Sequence, residues 1–282
     1  ADTSVSAALG ADIDAFTQLS ARHKDGWGIA SVPSSGAAPG LSRGTTAARE
    51  DAAYARSIAD QRADGLIMHF RLASPGTQVQ ESNLHPFRTT LPGIGAVAFA
   101  HNGHFFDVPA VRKLVFASTE ARPQGGTDSE LYALLVFELM RTLDATHALA
   151  QAATMIQDVS DVVALNALLL TPHQLAALQW LDPNPRSDGF AHPPQAELFR
   201  MRIRQEASAT AIASNEWVPS GAGWDEMPDR QVVSVARTAA RRAVSFDCSP
   251  STNNAPSRVR VTARGGVSSA AAADAVGRST SI

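Results

Sequence analysis

The stretch AFAHNGHFF, residues 98–106, ends an apolar run on His101, Asn102, Gly103 and His104. A side-chain amide next to a backbone N–H without a Cβ provides the two donors that hold a carbonyl oxygen as it becomes an oxyanion. Asn-Gly is also the strongest short hairpin signal, so a plain turn fits the same residues. Arg71, in GLIMHFRLAS, is the second candidate. Strand alternation puts Leu66, Met68, Phe70 and Leu72 on one face and Ile67, His69 and Arg71 on the other. An arginine near the end of a covered strand needs an anion, because unpaired buried charge is costly. That anion is either a carboxylate ligand gripped by the guanidinium fork or an internal Asp or Glu. Asp128, in TDSE, either meets a cationic group or simply complements the dipole of a helix start. His101 and His104, three apart, fall on opposite faces of a strand. No HExxH helix or second carboxylate cluster accompanies them, so neither a metal nor another cofactor is expected.

These residues need elements to position them. Leu9, Ile13, Phe16 and Leu19 recur at helical spacing between Leu9 and His23. DGWGIASV reads as a strand, 33–44 as a loop and 45–62 as an Ala-rich helix with Thr46 as N-cap. GLIMHFRLA and GAVAFAHNG are apolar on both alternating sets, the pattern of strands covered on two faces. SPGTQVQESNLHPF between them reads as a loop. In TDSELYALLVFELMRTL, Thr127 and Glu130 have capping-box spacing, and Leu131, Leu134, Leu135 and Leu139 predict the buried face. Another helix is expected over 144–158. The strand-like segments VVALNALLL, LAALQWL, AELFRMRIR, TAIASNEW and RQVVSVAR follow. Strands, then helices, then strands without strict alternation favour an α+β layered fold.

Composition narrows the functions. A net charge of -3 and a pI near 6.3 argue against nucleic acid or an anionic membrane as partner. No apolar run approaches the roughly 18 residues of a membrane span, and the start lacks signal-peptide order, so a cytoplasmic location is expected. One cysteine, Cys248, excludes an internal disulfide and a multi-thiolate zinc site. Residues 1–236 read as one domain. Residues 237–282, rich in Ala, Ser, Arg and Gly, read as a disordered tail.

The succession DGWGIA (25–30), HFRLAS (69–74), NLHPF (83–87), AHNG (100–103), TDSE (127–130) and SNEW (214–217) resembles the class II glutamine amidotransferase family of N-terminal-nucleophile hydrolases. It is most similar to the small stand-alone branch that includes a γ-glutamyl hydrolase of ergothioneine synthesis. The resemblance implies a four-layer α/β/β/α sandwich with two antiparallel sheets. It also implies that Arg71 holds a substrate α-carboxylate and Asp128 receives the α-amino group. Asn102 and the Gly103 N–H would form the oxyanion hole, and His85 would lie at the pocket wall. Gly26 and Gly28 would allow close packing beside the nucleophile strand. Family members attack the γ-carboxamide with an N-terminal cysteine whose own α-amine is the base. By motif spacing that cysteine falls a few residues before Ala1, with most of the first core strand, and Cys248 is no substitute. The implied function is hydrolysis of the γ-glutamyl amide of glutamine or of a γ-glutamyl compound. A homologue that only binds such ligands, or a glutaminase subunit serving a separate synthase, are the alternatives. The expected partner is a small-molecule substrate.

Overall fold

Each strand buries two unlike faces, and the residues on those faces decide the layer order. The structure is a computed structural model that describes residues 3–5, 9–10, 12–33, 40–74, 76–182, 199–206, 209–214, 223–237 and 243–247. Its first half contains β1 (Thr3–Ser4), α1 (Asp12–Gln18), β2 (Trp27–Val32), β3 (Gly40–Gly44), α2 (Ala52–Asp60), β4 (Arg62–Ala63) and β5 (Gly65–Phe70). Next come β6 (Phe87–Leu91), β7 (Gly95–Phe105), α3 (Val108–Ser118), α4 (Asp128–Leu139) and α5 (Ala145–Gln157). The chain continues through β8 (Val162–Leu170), β9 (Gln174–Gln179), β10 (Met201–Gln205), β11 (Thr210–Ser214), β12 (Trp224–Glu226), β13 (Gln231–Ala236) and β14 (Ala243–Asp247).

Two antiparallel sheets form the centre, one in the order β14-β13-β9-β8-β7-β6 and one in the order β3-β2-β5. They meet through small and branched side chains: Ala30, Val32, Ile67, Ala98, Ala100 and Leu170. Val97 and Phe99, the intervening residues of β7, face the helical layer of α3, α4 and α5. On the far side Trp27, Ile29 and Phe70 pack with Tyr54 of α2 and Phe16 of α1. The order is therefore helix, sheet, sheet, helix, as expected for strands apolar on both faces. A third sheet, β11-β10-β12, rests on Ala177 and Val233 through Met201 and Met227.

Several local expectations are corrected. The stretch 33–44 is not all loop: Gly40–Gly44 pairs with β2, because hydrogen bonding to that strand outweighs a weak local propensity. The 45–62 helix is reduced to Ala52–Asp60, capped by Asp51, whose carboxylate accepts the Ala53 N–H. Thr46 donates to the same carboxylate and is not the cap. Val108–Ser118, not foreseen, is a helix started by the Asp107 cap and Pro109. The 237–282 stretch is not wholly a tail, since Ala243–Asp247 adds an edge strand to β13. Average composition conceals a five-residue segment that only needs a free strand edge. Residues 248–282 and Asn215 to Trp217 of SNEW lie outside the described residues.

Helix α4 is buried nearly all round, not along one leucine stripe. Tyr132, Ala133, Val136 and Phe137 are buried beside Leu131 and Leu135, because β7 lies beneath and α3 and α5 flank it. The Thr127 hydroxyl accepts the Glu130 N–H at 3.2 Å, as the spacing requires. Replacing Thr127 with Ala should cost about 1 kcal/mol of unfolding free energy, the usual worth of an N-cap. A denaturant midpoint unchanged in T127A would contradict this.

Candidate active site

The candidate residues arrive from four elements at one end of the two sheets. Arg71 follows β5 directly, and its N–H continues the ladder by donating to the Gly26 carbonyl at 2.8 Å. Gly26 has φ 123°, a conformation that favours glycine, and a Cβ there would crowd Leu84 and the Gly44 carbonyl. Gly28 is needed for contact: an added Cβ would collide with the His85 carbonyl oxygen. The loop carrying His85 therefore lies directly on β2. His85 precedes a cis proline, Pro86.

Asn102 and Gly103 lie near the end of β7, opposite Asn166 and Leu165 of β8. They belong to a continuous eleven-residue strand and not to a hairpin turn, which removes that reading. A Cβ at Gly103 would collide with the Ala164 carbonyl and approach His101 Nε2 to 2.8 Å. Asp128 is the first residue of α4. The two histidines of AHNGH reach successive residues of that helix. His101 Nδ1 lies 2.9 Å from Ser129 Oγ, and His104 Nδ1 lies 3.2 Å from Asp128 Oδ2. Successive helical residues point about 100° apart, so two imidazoles on opposite strand faces can each meet one. They do not converge, and the described residues contain no group of three or more metal-ligating side chains.

The electrostatics place a buried cation close to a carboxylate and several neutral imidazoles. Arg71 is 5% exposed, and its Nη1 has no hydrogen-bond partner among the described residues. Burial lowers its pKa, while Asp25 and Asp128 oppose that by stabilising the charge. An ion pair with an internal carboxylate, the other sequence reading, is not formed within the described residues. Burial pushes the Asp128 carboxyl up, but His104, His101 and the Ser129 N–H outweigh it and hold the group below its ordinary range. His85 is buried with neither ring nitrogen bonded. Its ring lies 4.2 Å from that of His69, whose Nδ1 is also unpartnered. Burial first, then neighbouring positive groups, depress both; His69 is pushed down to about 3. Buried polar atoms are nearly always paired, so this concentration is informative.

Sequence reading missed the second tier of support. Arg43 of β3 donates from Nη1 to the Glu81 and Leu84 carbonyls, 3.1 Å each, pinning the loop before His85. Asn83 accepts the Gly126 N–H at 2.8 Å and so ties that loop to the start of α4. Glu130 does not close a capping box: its carboxylate takes the Gln124 and Gly125 N–H groups, both at 2.7 Å. Asn83 lies in the motif NLHPF and Glu130 in TDSE, but neither motif indicates these bonds. Arg43 was hidden in an apparent loop.

A model of the class II glutamine amidotransferases matches residues 3–171. The chain belongs to this family. Among solved structures, it is similar to the glutamine phosphoribosylpyrophosphate amidotransferase of B. subtilis, at 17% identity and a TM-score of 0.60. That match covers 83% of this chain and 46% of the other, so the chain spans under half of that enzyme's length. A glutamine aminotransferase class-II domain protein from Silicibacter pomeroyi matches at 22% identity and a TM-score of 0.55. There the match covers 80% of this chain and 92% of the other. At such identities the likeness shows the fold. No curated protein sequence matches the chain significantly. No helix among the described residues is long and apolar enough to cross a membrane.

Proposed function

We propose that this pocket binds the α-amino acid end of glutamine or of a γ-glutamyl compound and presents its γ-carbonyl to Asn102 and Gly103. The observation that carries this reading is a buried cation beside a largely buried carboxylate: Arg71 Nη1 has no hydrogen-bond partner among the described residues, and Asp128 Oδ2 faces the His104 imidazole at 3.2 Å without hydrogen-bond geometry. A fixed guanidinium, whose fork can bond a carboxylate bidentately, and one carboxylate acceptor suit the carboxylate and ammonium of a single amino acid. His85, buried and neutral, forms the wall beside Arg71.

The chemistry such a pocket supports is acyl transfer. A thiolate adds to the γ-carbonyl carbon, and the carbonyl electron pair moves to oxygen, where the Asn102 amide and the Gly103 N–H receive it. Collapse expels the amine, which takes a proton, and leaves a thioester. Water then cleaves the thioester to the free γ-carboxylate and regenerates the thiol. The family resemblance assigns the thiol to an N-terminal cysteine. Within Ala1–Ile282 the sole cysteine is Cys248, outside the described residues. For residues 1–282 taken by themselves the expected behaviour is binding, and both the hydrolysis and any delivery of ammonia to a separate synthase call for the family's N-terminal cysteine.

Calorimetry of residues 1–282 with L-glutamine tests the pocket, and an ammonia assay tests turnover. Saturable binding of the L-isomer with no ammonia released is the expected outcome. Ammonia release would overturn the assignment of the nucleophile, and failure to bind either glutamine or γ-glutamyl peptides would overturn the pocket.

A further inference from the structure

Asp128 faces an imidazole of its own chain. His104 Nδ1 stands 3.2 Å from Oδ2, with the imidazole 32% exposed and the carboxylate 18%. The contact is electrostatic, since the same Oδ2 lacks a partner of hydrogen-bond geometry. His104 follows Asn102 and Gly103 directly, joining the oxyanion donors to the carboxylate assigned to the ligand amine. Nothing in the proposed acyl transfer uses it.

We infer that His104 is a specificity-determining residue of this site: it sets the affinity of Asp128 for a ligand ammonium, which binds as His104 gives up its proton. This rests on the reading of Asp128 as the amine-binding group. An imidazolium at this distance neutralises the carboxylate and repels a second cation arriving at the same oxygen. A neutral imidazole leaves the carboxylate its charge and orients it toward the incoming amine.

The surrounding groups leave this role to His104. His101 on β7 faces Asp128 but is buried, and burial lowers its pKa despite the opposing pull of Asp128. His69 from β5 and His85 from the loop stay neutral for the same reason, with His23 facing His69. Arg71 carries a fixed charge with Asp25 opposite it. On α4 the Ser129 N–H donates to Asp128 Oδ1 at 2.8 Å, and Glu130 is occupied by Gln124 and Gly125. His104 is the partly exposed imidazole in contact with the carboxylate.

The test compares L-glutamine with glutaramate, which lacks the α-amine, by calorimetry at pH 6.0 and 8.0 on residues 1–282. Glutamine should bind several-fold more weakly at pH 6.0 than at pH 8.0, the interval in which a histidine changes charge, and glutaramate equally at both. Heats measured in buffers of different ionisation enthalpy should show a proton released on glutamine binding at pH 6.0. His104→Gln should bind glutamine with no pH dependence. Glutamine binding that is flat with pH in the wild-type chain, or a slope that survives in H104Q, overturns the role of His104 and leaves the pocket standing. Absence of binding by both ligands at both pH values overturns the pocket, and the role of His104 with it. Should H104Q not fold, the proton count on the wild-type chain decides: no proton released overturns the inference.

Discussion

Arg71→Met should weaken L-glutamine binding at least about a hundredfold while leaving the melting temperature unchanged or raised. The two effects have one cause. A guanidinium held nearly out of water with an unbonded Nη1 is costly to the folded state. Methionine keeps much of the apolar stem and removes that cost. Ligand binding instead loses charge-assisted hydrogen bonds of about 1.5–3 kcal/mol each, and losing two of them exceeds a factor of one hundred. Stability given up for a preorganised cation is the usual trade at a binding site. A variant that binds within about threefold of the parent would show that Arg71 serves the fold alone.

The second large effect is acid sensitivity. His85 and His101 are buried, His69 is partly buried with its ring against His85, and all three are held neutral, with pKa values below that of an exposed imidazole. The unfolded chain protonates them near pH 6.5, so below that pH it binds more protons than the native state and stability falls. Each histidine that stays neutral costs about 1.4 kcal/mol per pH unit below 6.5, until its folded pKa is reached. The stabilising carboxylates act in a separate window. Asp51, Asp128 and Asp144 are depressed in the fold, so their contributions are lost only as the pH falls through about 4 and below. Urea midpoints at pH 7.5, 6.5, 5.5 and 4.5 should therefore decline steeply below 6.5. His85→Phe should make that decline shallower by one proton. A flat profile down to pH 4.5 would mean that the imidazoles accept protons in place.

Much of this was readable along the chain because it depends on short-range periodicity and residue type. The two-face apolar pattern of GLIMHF and GAVAFA anticipated strands sandwiched between layers, and Ala98 and Ala100 do face Ala30 and Ile67 while Phe99 faces α4. Thr127 announced its cap, and the order of six short motifs announced the family. Pairing was not readable. Gly40–Gly44 and Ala243–Asp247 become strands only because β2 and β13 present free edges to them. Neither was the purpose of single polar residues. Asn102 and Gly103 fit a turn as well as an oxyanion hole until β8 lies opposite them, and Arg71 fits an internal ion pair, which no carboxylate among the described residues forms with it. Local energetics select helix or strand from neighbouring residues. Which carboxylate, imidazole or carbonyl lies within 3 Å of a given atom depends on layers brought together from opposite ends of the chain, and that is decided by tertiary packing alone.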